Sequence, residues 1–144
     1  MKTFSTQVCT TSEQSERLLS LGLKKETADM VYTNASLPYN KDVFHVICKE
    51  YTQLNKEVNY EISPFSFIPA WSIHRLIAMM PKYCKMEYYL SIEGNDIHYK
   101  LIGRTEYGIS HYSFCKKENI YENIINCIEW LIKNKILHKK YLEE

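Results

Sequence analysis

Met86-Glu87-Tyr88-Tyr89-Leu90-Ser91-Ile92-Glu93-Gly94-Asn95-Asp96-Ile97-His98-Tyr99-Lys100-Leu101 carries the clearest folding signal in this chain. Met86, Tyr88, Leu90 and Ile92 alternate with Glu87, Tyr89, Ser91 and Glu93. That period of two belongs to a strand with one buried face. Gly94-Asn95-Asp96 reads as a turn, after which Ile97, Tyr99 and Leu101 alternate with His98 and Lys100. Gly103 and Gly108 bracket a further reversal, and residues 109–114 supply a third strand. The pattern predicts an antiparallel meander of three to four strands, one face buried and the other more polar.

Helical signals flank this meander. Thr10 and Glu13 stand at capping-box spacing ahead of Leu18, Leu19 and Leu21, and Gly22 suits the position after a helix end. A helix over residues 12–21 follows. Asn119 and Glu122 form an N-x-x-E start for a last helix, with Ile120, Ile124, Cys127, Ile128 and Leu131 as its apolar stripe and Trp130 and Ile132 broadening it. Between lies Ile68-Pro69-Ala70-Trp71-Ser72-Ile73-His74-Arg75-Leu76-Ile77-Ala78-Met79-Met80-Pro81. It reads as a short apolar helix bracketed by two prolines, with Pro69 near its start, Ser72 as N-cap, and Ile73, Leu76, Ile77 and Met80 as a buried stripe. Residues 26–30 read as one further helical turn or a compact loop. Val43, Phe44, Val46 and Ile47 suit a strand or a short helix; with Tyr51 and Leu54 added the spacing leans to a helix over residues 41–54, and Val58–Ile62 alternates like a short strand. The expected fold is α+β: an antiparallel meander with helices packed mainly on one face, in a single domain over residues 1–144. The other sheet face is then wet or covered by a partner.

At 144 residues the chain can bury a core without staples. A formal net charge of +1 supplies no global attraction for nucleic acid or anionic membrane. The five cysteines are an odd number with no C-x-x-C pair, which disfavours a disulfide framework or zinc ribbon and fits a reducing cytoplasm. The N-terminal residues have no apolar signal core, and no apolar run is long enough to span a bilayer. The basic run Lys133, Lys135, His138, Lys139 and Lys140 is followed by Glu143 and Glu144, as at a solvated helix end.

Catalytic chemistry is hard to build from these residues. Asp42, His45 and Cys48 share a face only if residues 41–54 are helical, and nothing nearby supplies a thiolate-stabilising frame. The five histidines are scattered, and His98 and His111 are the one pair that neighbouring strands can bring together. The four glycines do not form a phosphate-binding loop. No catalytic residue, metal site or cofactor is therefore assigned.

The remaining candidates are surfaces. Tyr89, His98 and Tyr112 can share one sheet face with Lys100 beside them, an arrangement by which some modules stack single-stranded nucleic acid. Trp71, with His74 and Arg75 following it, is either sealed core or the floor of a pocket. Ser12-Glu13-Gln14-Ser15, Leu18-Leu19, Leu21-Gly22-Leu23, Thr27-Ala28-Asp29-Met30, Ile68-Pro69-Ala70-Trp71-Ser72 and Met80-Pro81 together resemble a family of small uncharacterised proteins carried by prophages and mobile elements of gut Bacteroides-type bacteria. The resemblance implies a cytoplasmic setting and carries no catalytic residue with it. The expectation is a non-enzymatic accessory or interaction protein that binds a protein partner, a second copy of itself included. Nucleic-acid binding through the tyrosine-bearing face is the alternative, and a small Cys/His enzyme the third reading. No membrane association is expected.

Overall fold

The computed structural model describes residues 7–33, 45–48, 67–102 and 111–144. The chain divides into two compact units, residues 1–75 and 76–144. Helices and antiparallel sheets occur together, which makes the fold α+β.

In the first unit, helix α1 spans Ser12–Ser20. Its cap is one residue later than the spacing of Thr10 and Glu13 predicts. Thr11 Oγ1 accepts from Gln14 N at 3.2 Å, and Gln14 Oε1 accepts from Thr11 N at 3.0 Å. Thr10 is instead fully buried, its hydroxyl 2.8 Å from that of Ser15. Gly22 closes the helix at a φ of +95°, in the left-handed region where a β-carbon is costly. A 3-10 turn, Lys25–Thr27, follows and leads into strand β1, Met30–Thr33.

β1 is the centre of a three-stranded antiparallel sheet that the sequence does not announce. β2 is His45–Cys48 and β3 is Phe67–Ala70, with the order β2-β1-β3. The helix expected over residues 41–54 is thus a strand in its described part. Val58–Ile62 lies outside the described residues. Pro69 sits in edge strand β3 opposite Val31, not in a helix start. An edge position tolerates a residue that cannot donate a ladder bond. Helix α2, Ile73–Met79, begins three residues after β3. Ser72 is its N-cap as expected, its hydroxyl accepting from Arg75 N at 3.1 Å.

The second unit is built on a four-stranded antiparallel meander: β4 Tyr83–Cys84, β5 Tyr88–Glu93, β6 Asp96–Leu101 and β7 His111–Phe114, in that order. Met86 does not belong to the alternating strand. It is 95% exposed in the β4–β5 turn, where Lys85 and Met86 both have positive φ. Helix α3, Ile120–Lys133, packs on β6 and β7. Asn119 caps it, its Oδ1 accepting from Tyr121 N at 2.8 Å and Glu122 N at 3.2 Å. Ile124, Ile125, Ile128 and Leu131 are fully buried. Each removes enough apolar surface from water to stabilise the fold by about 1.5–3 kcal/mol. Asn123, also fully buried, has all its hydrogen-bonding positions engaged but one lone pair. Its amide donates to Asn95 O and Lys117 O at 2.8 Å each, and its Oδ1 accepts from Lys117 N at 3.1 Å. That side chain ties the β5–β6 turn to the first half of α3.

Candidate functional site

Strand register sorts the side chains of the meander. Opposed residues share a face, so Leu90, Tyr99 and Tyr112 lie together, as do Ser91, His98 and Ser113. The inner face includes Cys84, Tyr88, Ile97, Tyr99, Tyr112 and Phe114. Trp130 of α3 lies against it, with ring centroids 4.7 Å from Tyr112, 5.7 Å from Phe114 and 6.0 Å from Tyr99. Burial pushes the Tyr99 hydroxyl far above its ordinary pKa, so it stays protonated and donates to Pro81 O at 2.7 Å.

The outer face carries Tyr83 and Tyr89, directly paired across β4 and β5, then Lys100, His98, His111, Ser113 and Glu93. Tyr83 is 55% exposed and Tyr89 38%. His98 and His111 meet edge to face with centroids 5.7 Å apart. His98 Nδ1 lies 3.0 Å from Ser113 Oγ. Lys100 Nζ donates to Glu93, and that bond holds the Glu93 carboxyl below its ordinary pKa and the Lys100 ammonium above its own.

The sequence candidates therefore separate. Tyr89, His98 and Lys100 do come together on the outer face. Tyr112 does not join them: it points inward, stacked between Tyr88 at 5.1 Å and Trp130. The expected trio fails because the register of β7 against β6 shifts its alternation by one residue, which reverses every side chain. Tyr83 is the residue that sequence reading misses. Its strand is two residues long, too short for any periodicity.

Trp71 is fully buried, and its indole Nε1 donates to Thr27 Oγ1 at 2.9 Å. Arg75 is committed as well, its Nε donating to Thr27 O at 2.6 Å. Asp29 accepts from both Ser72 N, at 2.8 Å, and Ser72 Oγ. His74 is exposed on α2. These groups build a polar network that fastens the entrance of α2, so Trp71 is core and not the floor of a pocket.

Catalytic geometry is not assembled by these groups. Ser113, His98 and Glu93 have the residue types of a nucleophile, base and acid, but Glu93 Oε2 is 3.9 Å from His98 Nε2 and its other oxygen is engaged by Lys100. That carboxylate is beyond hydrogen-bond reach of the ring it would have to orient. Burial raises the thiol pKa of Cys9, Cys84 and Cys127, which makes each a poorer nucleophile. His45 and Cys48 lie in strand β2, so the helix on which they were expected to share a face is not formed over these residues. Among the described residues, no group of three or more His, Cys, Asp or Glu is placed to hold a metal ion. No described helix is long and apolar enough to cross a membrane.

Comparison of the chain with protein-family models, curated proteins and solved structures finds no match.

Proposed function

We propose that this chain is a non-enzymatic accessory protein of mobile-element origin that binds another protein through the outer face of β4–β7. The observation that carries the reading is the paired, exposed Tyr83 and Tyr89 on a sheet face whose reverse side is packed against α3. Tyrosines offer large amphipathic area at low entropic cost and are enriched where proteins meet. The Glu93–Lys100 pair leaves the middle of the face nearly neutral, which suits a protein surface better than a polyanion. The first partner to test is a second copy of the chain, since an isologous contact needs only one patch. Light scattering over a wide concentration range should show a dimer that Tyr83→Glu with Tyr89→Glu disperses. A species that stays monomeric, with outer-face amide resonances unmoved by dilution, overturns the homodimeric reading.

Single-strand nucleic-acid binding is the second reading. Its support is Lys82 Nζ, 5.6 Å from the Tyr83 ring centroid, beside the Tyr83–Tyr89 pair. It requires oligonucleotide binding that weakens with salt and with Lys82→Ala or Tyr89→Ala. Absence of binding at low salt rejects it.

A further inference from the structure

A cleft of about 430 Å³ opens between the end of β7 and a half-buried ridge of α3. Its α3 wall is Asn126, Glu129, Trp130 and Lys133, spaced i, i+3, i+4 and i+7, so one helical stripe faces it. Phe114 and Lys116 close the opposite side. The volume falls within the range that holds a small organic ligand.

The chemistry of the walls narrows the occupant. The Trp130 and Phe114 rings lie 5.7 Å apart and are inclined at 56°, so they form an aromatic corner, and Trp130 is only half-buried despite its contacts with inner-face rings. Planar faces of this kind select a flat ring. Among the described residues the rim carries two cations, Lys116 and Lys133, against one acid, Glu129. Lys133 Nζ already donates to Glu129 Oε1 at 2.7 Å. Lys116 makes no ion pair or side-chain hydrogen bond among the described residues, which leaves it as the uncompensated cation of the described rim; Lys85, also near Trp130, does not line the cleft. We infer that the Trp130 cleft binds a planar aromatic molecule bearing a single carboxylate, with the ring against Trp130 and Phe114 and the anion at Lys116.

1-Naphthoate is a suitable probe, with uncharged 1-naphthalenemethanol as control. The two indole N–H resonances report separately. Trp130 should shift saturably, while Trp71, sealed and bonded to Thr27, stays in place. Lys116→Gln sits on an exposed residue, leaves the fold intact and should weaken naphthoate binding roughly tenfold, the scale of a lost charge-assisted hydrogen bond. The alcohol should bind the unaltered protein more weakly than naphthoate does. An unmoved Trp130 resonance overturns the inference. Equal affinities for acid and alcohol, or for the protein and Lys116→Gln, overturn it too. None of these results touches the outer-face reading, which rests on Tyr83 and Tyr89.

Discussion

The indole of Trp71 and the hydroxyl of Thr27 are bonded at 2.9 Å inside the first unit, and both side chains are buried. The same Thr27 hydroxyl donates to Lys24 O at 2.6 Å, so one small side chain holds the 3-10 turn and satisfies the largest buried residue together. Thr27→Val keeps the volume and removes both bonds. It should cost about 1–3 kcal/mol in urea unfolding, because the indole N–H is left without an acceptor in a site closed to water. Thr27→Ser should recover most of that loss. A neutral Thr27→Val would mean the indole has another acceptor.

Asn123 performs the equivalent task in the second unit. Removing its amide by Asn123→Ala leaves Asn95 O, Lys117 O and Lys117 N without their partner. The expected destabilisation is about 2–4 kcal/mol, the class of effect caused by breaking a buried hydrogen-bond network. Amide exchange should accelerate first in the β5–β6 turn and residues 117–119, and unaltered exchange there would contradict the assignment.

The β4–β5 turn holds Lys85 at φ +51° and Met86 at +59°. Two consecutive positive angles suit Asn or Gly, and a side chain there costs about 1–2 kcal/mol. Met86 is almost wholly exposed, so it has little packing to lose. Met86→Gly should therefore stabilise the protein by a net of about 0.5–1 kcal/mol after the entropic cost of glycine. The readout is a higher urea midpoint at unchanged slope. Lys85 is a different case, since its ammonium lies 5.4 Å from the Tyr112 ring centroid and 5.7 Å from that of Trp130.

Stability should depend on pH through Glu93 and Lys100. The hydrogen bond from Lys100 lowers the Glu93 pKa from its ordinary 4.5, so its contribution is present above 4.5 and disappears as pH falls through the lower folded value. The bond to Glu93 raises Lys100 from its ordinary 10.5, so that contribution is complete below 10.5 and is lost as pH rises through the higher folded value. Glu93→Gln should flatten both limbs. A carboxyl NMR titration placing the Glu93 midpoint at or above 4.5 would refute the pairing in solution.

Thiol chemistry offers a site-resolved check of burial. Cys115 is exposed, whereas Cys9, Cys84 and Cys127 are buried with raised pKa values. Alkylation followed by peptide mapping should label Cys115 in the folded protein, and Cys9, Cys84 and Cys127 only as denaturant opens it. Early labelling of Cys127 would contradict the packing of α3.

Local patterns were legible wherever an element is long and its partners are near in sequence. α1, α3 and the β5–β6 hairpin follow from caps, periodicity and a Gly-Asn turn. The first sheet was not legible, because β1, β2 and β3 have only four residues each and Met30 pairs with Ala70 across forty positions. Strands that short carry no reliable period, and Pro69 mimics a helix start.

The candidate site divides in the same way. Tyr89, His98 and Lys100 were placed by alternation within one hairpin, so they could be read together. The face of Tyr112 cannot be read from its own strand, because only the pairing of β7 with β6 sets its parity. By itself the sequence determined an α+β chain with a capped C-terminal helix and a half-polar meander, since those depend on neighbours within a few residues. Tertiary structure alone decided that Trp71 is sealed by Thr27, that Tyr83 joins Tyr89 outside and that Tyr112 and Trp130 stack within. Each of those facts depends on which distant residue completes a hydrogen bond or a register, and that information is held only in the folded packing.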